Sequence, residues 1–131
     1  MRLTAAEYRA LVGKAGRSRK SKFRRSPAIE RTVDGIVFAS KAEVRRYGYL
    51  RELQRIGEIE SLTQGREYQL VIRNIKVGVY TPDFEYVTAS GDLVIEEVKS
   101  GTSGKETDYR LRKRIFEACT GLVLTEVQVN G

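Results

Sequence analysis

The sequence predicts an α/β fold of the α+β kind, a mixed central sheet flanked by helices. Three observations carry that expectation. Ser40 to Gly57 has helical apolar spacing behind a capping box. Ile59 to Lys99 is a series of β-rich runs separated by turn residues. Thr107 to Cys119 is helical again and leads into a last apolar run, Leu122 to Val129. The order is therefore helix, three or four strands, helix, strand, which lets helices cover a sheet whose apolar faces need burial.

The chain begins with Thr4-Ala5-Ala6-Glu7, a capping-box spacing for a short helix carrying Leu3, Tyr8, Leu11 and Val12 on one face. Gly13 and Gly16 end it. The stretch GKAGRSRKSKFRRS that follows has one large apolar residue, Phe23, and is expected to stay disordered without a ligand. Pro27 marks the boundary between a basic arm, residues 1–27, and a folded domain, residues 28–131. Thr32 to Phe38 reads as a small hairpin around Asp34-Gly35, a pair suited to a tight turn.

Ser40 and Glu43 form the capping box of the first long helix, with Ala42, Tyr49, Leu50, Leu53 and Ile56 inward and Gly57 as its stop. Arg45, Arg46, Arg51 and Arg55 are left for the outer face or for phosphate. Ile59–Thr63 and Tyr68–Ile72 are short strands, the second one buried. Val77–Val87 and Leu93–Lys99 pair as a hairpin through Ala89-Ser90-Gly91-Asp92. Gly101 to Gly104 is a turn. Thr107 or Asp108 caps the second helix, with Leu111, Ile115 and Ala118 inward. Arg110, Arg112, Lys113 and Arg114 make that helix basic, and Gly121 ends it.

Composition narrows the chemistry. A chain of 131 residues is one domain with room for a core. No apolar run reaches the length of a membrane-spanning helix, and no signal-peptide core stands near the N-terminus. Histidine is absent and Cys119 is the one cysteine, which excludes Cys/His zinc sites, Ser-His-Asp triads and an internal disulfide. Cys119 itself reads as a small buried apolar residue. Any acid–base or metal chemistry must run on carboxylates, lysine, tyrosine or water.

The net charge is +7, and residues 1–30 hold all of the excess, with nine Lys/Arg against two Asp/Glu. Lys14, Arg17, Arg19, Lys20, Lys22, Arg24 and Arg25 can neutralise phosphates and release counterions, giving affinity for nucleic acid without sequence choice.

The densest chemistry lies in YTPDFEYVTASGDLVIEEVKS, Tyr80 to Ser100. On a strand, side chains two apart share a face, so Glu97 and Lys99 point the same way, after Leu93 and Ile95. Val94, Glu96 and Val98 leave by the other face. Glu96 is thus expected to pair with a basic residue from a flanking helix. With Asp83 near the same end of the neighbouring strand, two carboxylates and an ammonium converge. Such a pair can hold a hard cation such as Mg²⁺, and the lysine can orient a water for attack on a phosphodiester.

Pro82-Asp83 followed by Glu97-x-Lys99 resembles the PD-(D/E)XK nuclease signature, and the element order matches the α-β-β-β-α-β core of that restriction-endonuclease-like fold. More closely, the chain is similar to a phage-associated family of small PD-(D/E)XK nuclease-like proteins. The residues that carry this are Val33-Asp34-Gly35-Ile36, Phe38, Ser40-Lys41, Glu43, Arg46-Tyr47, Leu50, Leu53 and Gly57-Glu58-Ile59. Tyr80-Thr81-Pro82-Asp83-Phe84, Tyr86, Glu97-Val98-Lys99, Tyr109, Lys113 and Phe116-Glu117 continue it. The resemblance covers about residues 31–127 and leaves the arm outside.

The resemblance implies that Asp83, Glu97 and Glu43 hold Mg²⁺ (or Mn²⁺) and that Lys99 orients the water. It turns Tyr109 and Lys113, neighbours on one helix face, towards the active site or the scissile phosphate. Glu43 also has its capping job, and both are compatible if its carboxylate reaches the metal through water. The activity implied is that of a Mg²⁺-dependent DNA endonuclease in the cytoplasm of a phage-infected or host bacterium. A homodimer with two sites would cut both strands, and branched DNA is the first substrate by analogy. The alternative is a non-catalytic module that binds DNA or RNA through the arm. Three retained active-site residues weigh against it, because acids near phosphate lower affinity unless a metal offsets them.

Overall fold

The computed structural model describes residues 26–100 and 107–129. The N-terminal helix, the arm residues Lys14, Arg17, Arg19, Lys20, Lys22, Arg24 and Arg25, and the turn at residues 101–104 lie outside the described residues. After a 3-10 turn at Ala28–Arg31, strands β1 (Thr32–Val33) and β2 (Ile36–Val37) form the expected small hairpin. Asp34 and Gly35 sit at φ +53° and +76°, the left-handed pair that a two-residue hairpin turn requires.

Helix α1 spans Lys41–Arg55, and the Ser40 hydroxyl accepts the Glu43 N–H at 3.2 Å. Its end is a Schellman motif: the Gly57 N–H reaches the Gln54 carbonyl at 3.1 Å and the Glu58 N–H reaches Leu53 at 2.9 Å. Gly57 stands there at φ +84°, which is why glycine stops this helix. The inward face differs from the expected one. Ala42 and Leu50 are buried and Leu53 is partly so, whereas Tyr49 and Ile56 are more than half exposed. The helix turns Arg46 inward to the buried Glu96, and Tyr49 lies outside with its ring against the Arg46 guanidinium.

The main sheet has the order β3-β6-β7-β8, built from β3 (Ile59–Gln64), β6 (Phe84–Thr88), β7 (Leu93–Lys99) and β8 (Leu124–Gln128). The first three are antiparallel, and the β6–β7 turn closes through the Thr88 N–H on the Asp92 carbonyl at 2.8 Å. β8 lies parallel to β7, which demands a crossover, supplied by helix α2 (Thr107–Thr120). The sheet is therefore mixed and the fold is α+β.

Strand β4 (Tyr68–Ile72) pairs only with β5 (Ile75–Tyr80), as a separate two-stranded ribbon. This corrects the expected single strand from Val77 to Val87. Pro82 has no N–H for a ladder and is fully buried at the break between β5 and β6. The ribbon turns at Arg73-Asn74, both at positive φ, without the glycine that marks such turns in sequence.

Alternation along β7 feeds two cores. On one face Phe84 and Tyr86 pack with Phe38, Leu50 and Ile59 beneath α1. On the other, Ile95 packs with Leu70, Tyr80, Leu124 and the α2 residues Tyr109 and Phe116. Helix α2 begins at Thr107, so Thr107 and Asp108 lie in its first turn instead of capping it. It buries Tyr109 and Phe116, with Ile115 and Cys119 partly covered, while Leu111 and Ala118 are exposed. Among the described residues no helix is long and apolar enough to cross a membrane.

Candidate active site

Asp83 occupies the bend between the buried Pro82 and the start of β6. Its N–H donates to the Glu96 carbonyl at 3.0 Å, and its carbonyl accepts from the Gly65 N–H at 3.2 Å. The carboxylate then accepts the Val98 N–H at 2.7 Å. Asp83 is thereby fastened to β7 at the residue between Glu97 and Lys99.

Glu43 arrives from the N-terminus of α1. Its Oε2 accepts the Ala39 N–H at 3.0 Å, one residue before the usual capping-box partner. Its carboxyl also hydrogen-bonds to Asp83. The capping job and a place beside the other acids are thus both filled by one side chain.

Glu97 accepts the Tyr80 hydroxyl at 2.9 Å on Oε2, and its Oε1 lies 3.8 Å from Lys99 Nζ. The side chains of Lys99 and Glu97 are only 12% and 18% exposed, so each feels the other strongly. Lys99 Nζ stands 3.2 Å above the centre of the Tyr109 ring, a cation–π contact. The Tyr109 hydroxyl in turn donates to Glu126 at 3.1 Å, and Lys113 Nζ donates to the same oxygen at 3.0 Å.

Burial, then the charge of Asp83, pushes the Glu43 carboxyl up to about 7. The same two causes, in that order, push Glu97 up to about 7. Burial also raises Asp83, opposed by the Val98 N–H, Glu43 and Lys99. Burial and the neighbouring Glu97 raise the Tyr80 hydroxyl, keeping it a proton donor. Burial, and after it their mutual repulsion, thus resists full ionisation of these acids, and the Glu43 carboxyl shares a hydrogen bond with Asp83.

That is the electrostatic setting a divalent cation relieves. Among the described residues no group of three or more His, Cys, Asp or Glu side chains is placed to hold a metal ion. Magnesium, however, is ordinarily held by one or two carboxylates, with waters and phosphate oxygens completing its octahedron. Asp83 and Glu97 fit as that pair, with Glu43 adjoining.

A pH dependence follows. The folded protein keeps protons on Glu43 and Glu97 up to about 7, while the unfolded chain releases them near 4.5. Stability from these groups is complete below 4.5 and is lost as the pH rises through 7. Metal-free protein is expected to melt at a lower temperature at pH 8 than at pH 5.5, and Glu97→Gln should narrow that gap. Mg²⁺ should raise the melting temperature at pH 8 and scarcely at pH 5. A melting temperature indifferent to Mg²⁺ at pH 8 would remove the case for a cation here.

The structure thus brings Asp83, Glu97, Lys99 and Glu43 together. Tyr109 and Lys113 flank them, but Tyr109 is 3% exposed and supports Lys99 instead of presenting a face to nucleic acid. Glu96 points to the other side, as the alternation requires, and meets Arg46 of α1. Arg46, Arg51 and Arg55 are engaged with Glu96, Asp34 and Glu52, not held out for phosphate. Two partners were not legible in advance. Tyr80 carried no assigned role, and Glu126 comes beside Glu97 only through the parallel β7–β8 register. No curated protein and no solved structure matches the chain. A family model described as "Protein of unknown function (DUF1064)" matches residues 20–128, most of the chain, which therefore belongs to the DUF1064 family.

Proposed function

We propose that the protein is a metal-dependent DNA endonuclease of the PD-(D/E)XK type that hydrolyses phosphodiester bonds. One observation carries this reading: Asp83, Glu97, Lys99 and Glu43 converge from three separate elements at one end of β7. Lys99 is held between Glu97 and the Tyr109 ring, so its ammonium is aimed before substrate arrives and can orient the attacking water. Glu97 is steadied by Tyr80, and Asp83 by the Val98 N–H. Glu43, whose carboxyl is pushed up to about 7 by burial and by Asp83, lies hydrogen-bonded beside Asp83. A bound Mg²⁺ would supply Lewis-acid stabilisation of the phosphoryl and leaving-group charge, which no histidine is present to share. The basic arm supplies affinity for the polyanion. The same reading expects a cytoplasmic enzyme acting as a homodimer where both strands are cut.

The test is a cleavage assay with Mg²⁺ or Mn²⁺ on labelled linear, single-stranded and four-way-junction DNA. Metal-dependent products are expected, and their relative amounts rank the substrates. Binding without products on any of them would instead make the protein a DNA-binding module.

A further inference from the structure

The outer face of the β4–β5 ribbon is accounted for by neither core nor active site. The ribbon's inner face, with Tyr68, Leu70 and Tyr80, packs on α2. Its outer face and tip carry Val71, Ile72, Ile75, Val77 and Val79, all exposed; Ile75 is 66% exposed and Ile72 47%. All five are β-branched, hence stiff at χ1, and they present apolar surface at little entropic cost on binding. A patch of this kind on a two-stranded ribbon marks an interaction surface.

We infer that this ribbon enters the major groove of duplex DNA next to the cleavage site, an inference that rests on the nuclease reading above. Three features select that occupant. From Tyr68 to Tyr80 the ribbon carries Arg73 and Lys76 and no acidic residue. Neither cation forms an ion pair among the described residues. Against a second copy of this chain, a two-fold contact would bring like charges together; against DNA they meet phosphates. The second feature is shape: the major groove, about 12 Å wide, admits a two-stranded ribbon.

The third feature is where the ribbon is rooted. Tyr80, its last residue, donates to Glu97. From there to the tip at Ile75 is about 17 Å at roughly 3.3 Å per residue. That distance spans about five base pairs at roughly 3.4 Å each. A duplex cut at Glu97 therefore has its adjoining groove within the ribbon's reach. There the isoleucines and valines meet thymine methyl groups, Arg73 and Asn74 face base edges or phosphates, and Lys76 lies along the backbone.

The experiment measures binding of the full chain to a labelled 30-base-pair duplex and to the same duplex with uracil replacing every thymine. Wild type is expected to prefer the thymine duplex. The double variant Ile72→Ser/Ile75→Ser should bind about tenfold more weakly and lose that preference, while Arg73→Ala should lower the salt slope by about one. All three residues are exposed, so the fold is retained; circular dichroism checks it. Equal affinity of wild type for both duplexes, or unchanged binding by the double variant, would overturn the inference while cleavage by wild type leaves the nuclease reading intact. A double variant that turns a sedimenting dimer into monomer at unchanged DNA affinity would overturn it in favour of a second copy. Wild type that neither binds nor cuts linear, single-stranded or four-way-junction DNA would overturn both.

Discussion

Lys99→Ala is expected to lower the rate of DNA cleavage by about 10²–10⁴-fold, the range associated with removing a positioned acid–base group. The lysine side chain is 12% exposed at the end of β7, with the ammonium over the Tyr109 ring and 3.8 Å from Glu97. Removing it leaves Tyr109 still bonded to Glu126, so the packing beneath should survive. DNA binding should change little, because the arm and not this site carries the excess charge. Asp83→Ala and Glu97→Ala should also abolish cleavage. In chelator, Glu97→Gln should bind DNA at least as well as wild type, since a buried acid no longer faces phosphate. Tyr109→Phe keeps the ring under the ammonium and should lose far less. A purified Lys99→Ala protein that cuts at the wild-type rate would end the assignment.

The second large effect is on stability. Glu96 is 1% exposed and meets the Arg46 guanidinium in a two-pronged contact, Nε–Oε1 at 2.8 Å and Nη2–Oε2 at 2.6 Å. The Tyr86 hydroxyl completes the carboxylate's partners. Arg46→Ala strands this buried charge and should destabilise the protein by about 3–5 kcal/mol in urea unfolding. Arg46→Lys should recover only part of that, because an ammonium cannot reproduce the fork. Adding Glu96→Gln to Arg46→Ala should restore more than it costs by itself, since the stranded charge is gone. The pair matters to function as well: the Glu96 carbonyl holds the Asp83 N–H, so a loosened β7 should loosen Asp83. A loss below about 1 kcal/mol in Arg46→Ala would mean that water reaches Glu96 and that the pair is an ordinary surface bridge.

What the sequence determined by itself was local. The Ser40–Glu43 cap, the glycine stop at Gly57, the Asp34-Gly35 turn and the β6–β7 hairpin all depend on contacts within a few residues. Backbone geometry dictates those contacts wherever the segment sits. The strand period of two likewise put Glu97 and Lys99 on one face and Glu96 on the other before any packing was known.

Only the tertiary structure decided which distant groups meet. Arg46 turns inward because Glu96 lies opposite it, and Tyr49 is left outside despite its apolar spacing. Tyr80 and Glu126 reach the site because β5 ends, and β8 pairs, beside Glu97. The Arg73-Asn74 turn folds β5 back on β4 as a separate ribbon without a glycine to announce it. In each case the choice rests on strand register and on the crossover through α2. Those are settled by burial across the whole sheet and leave no mark at the residues they bring together.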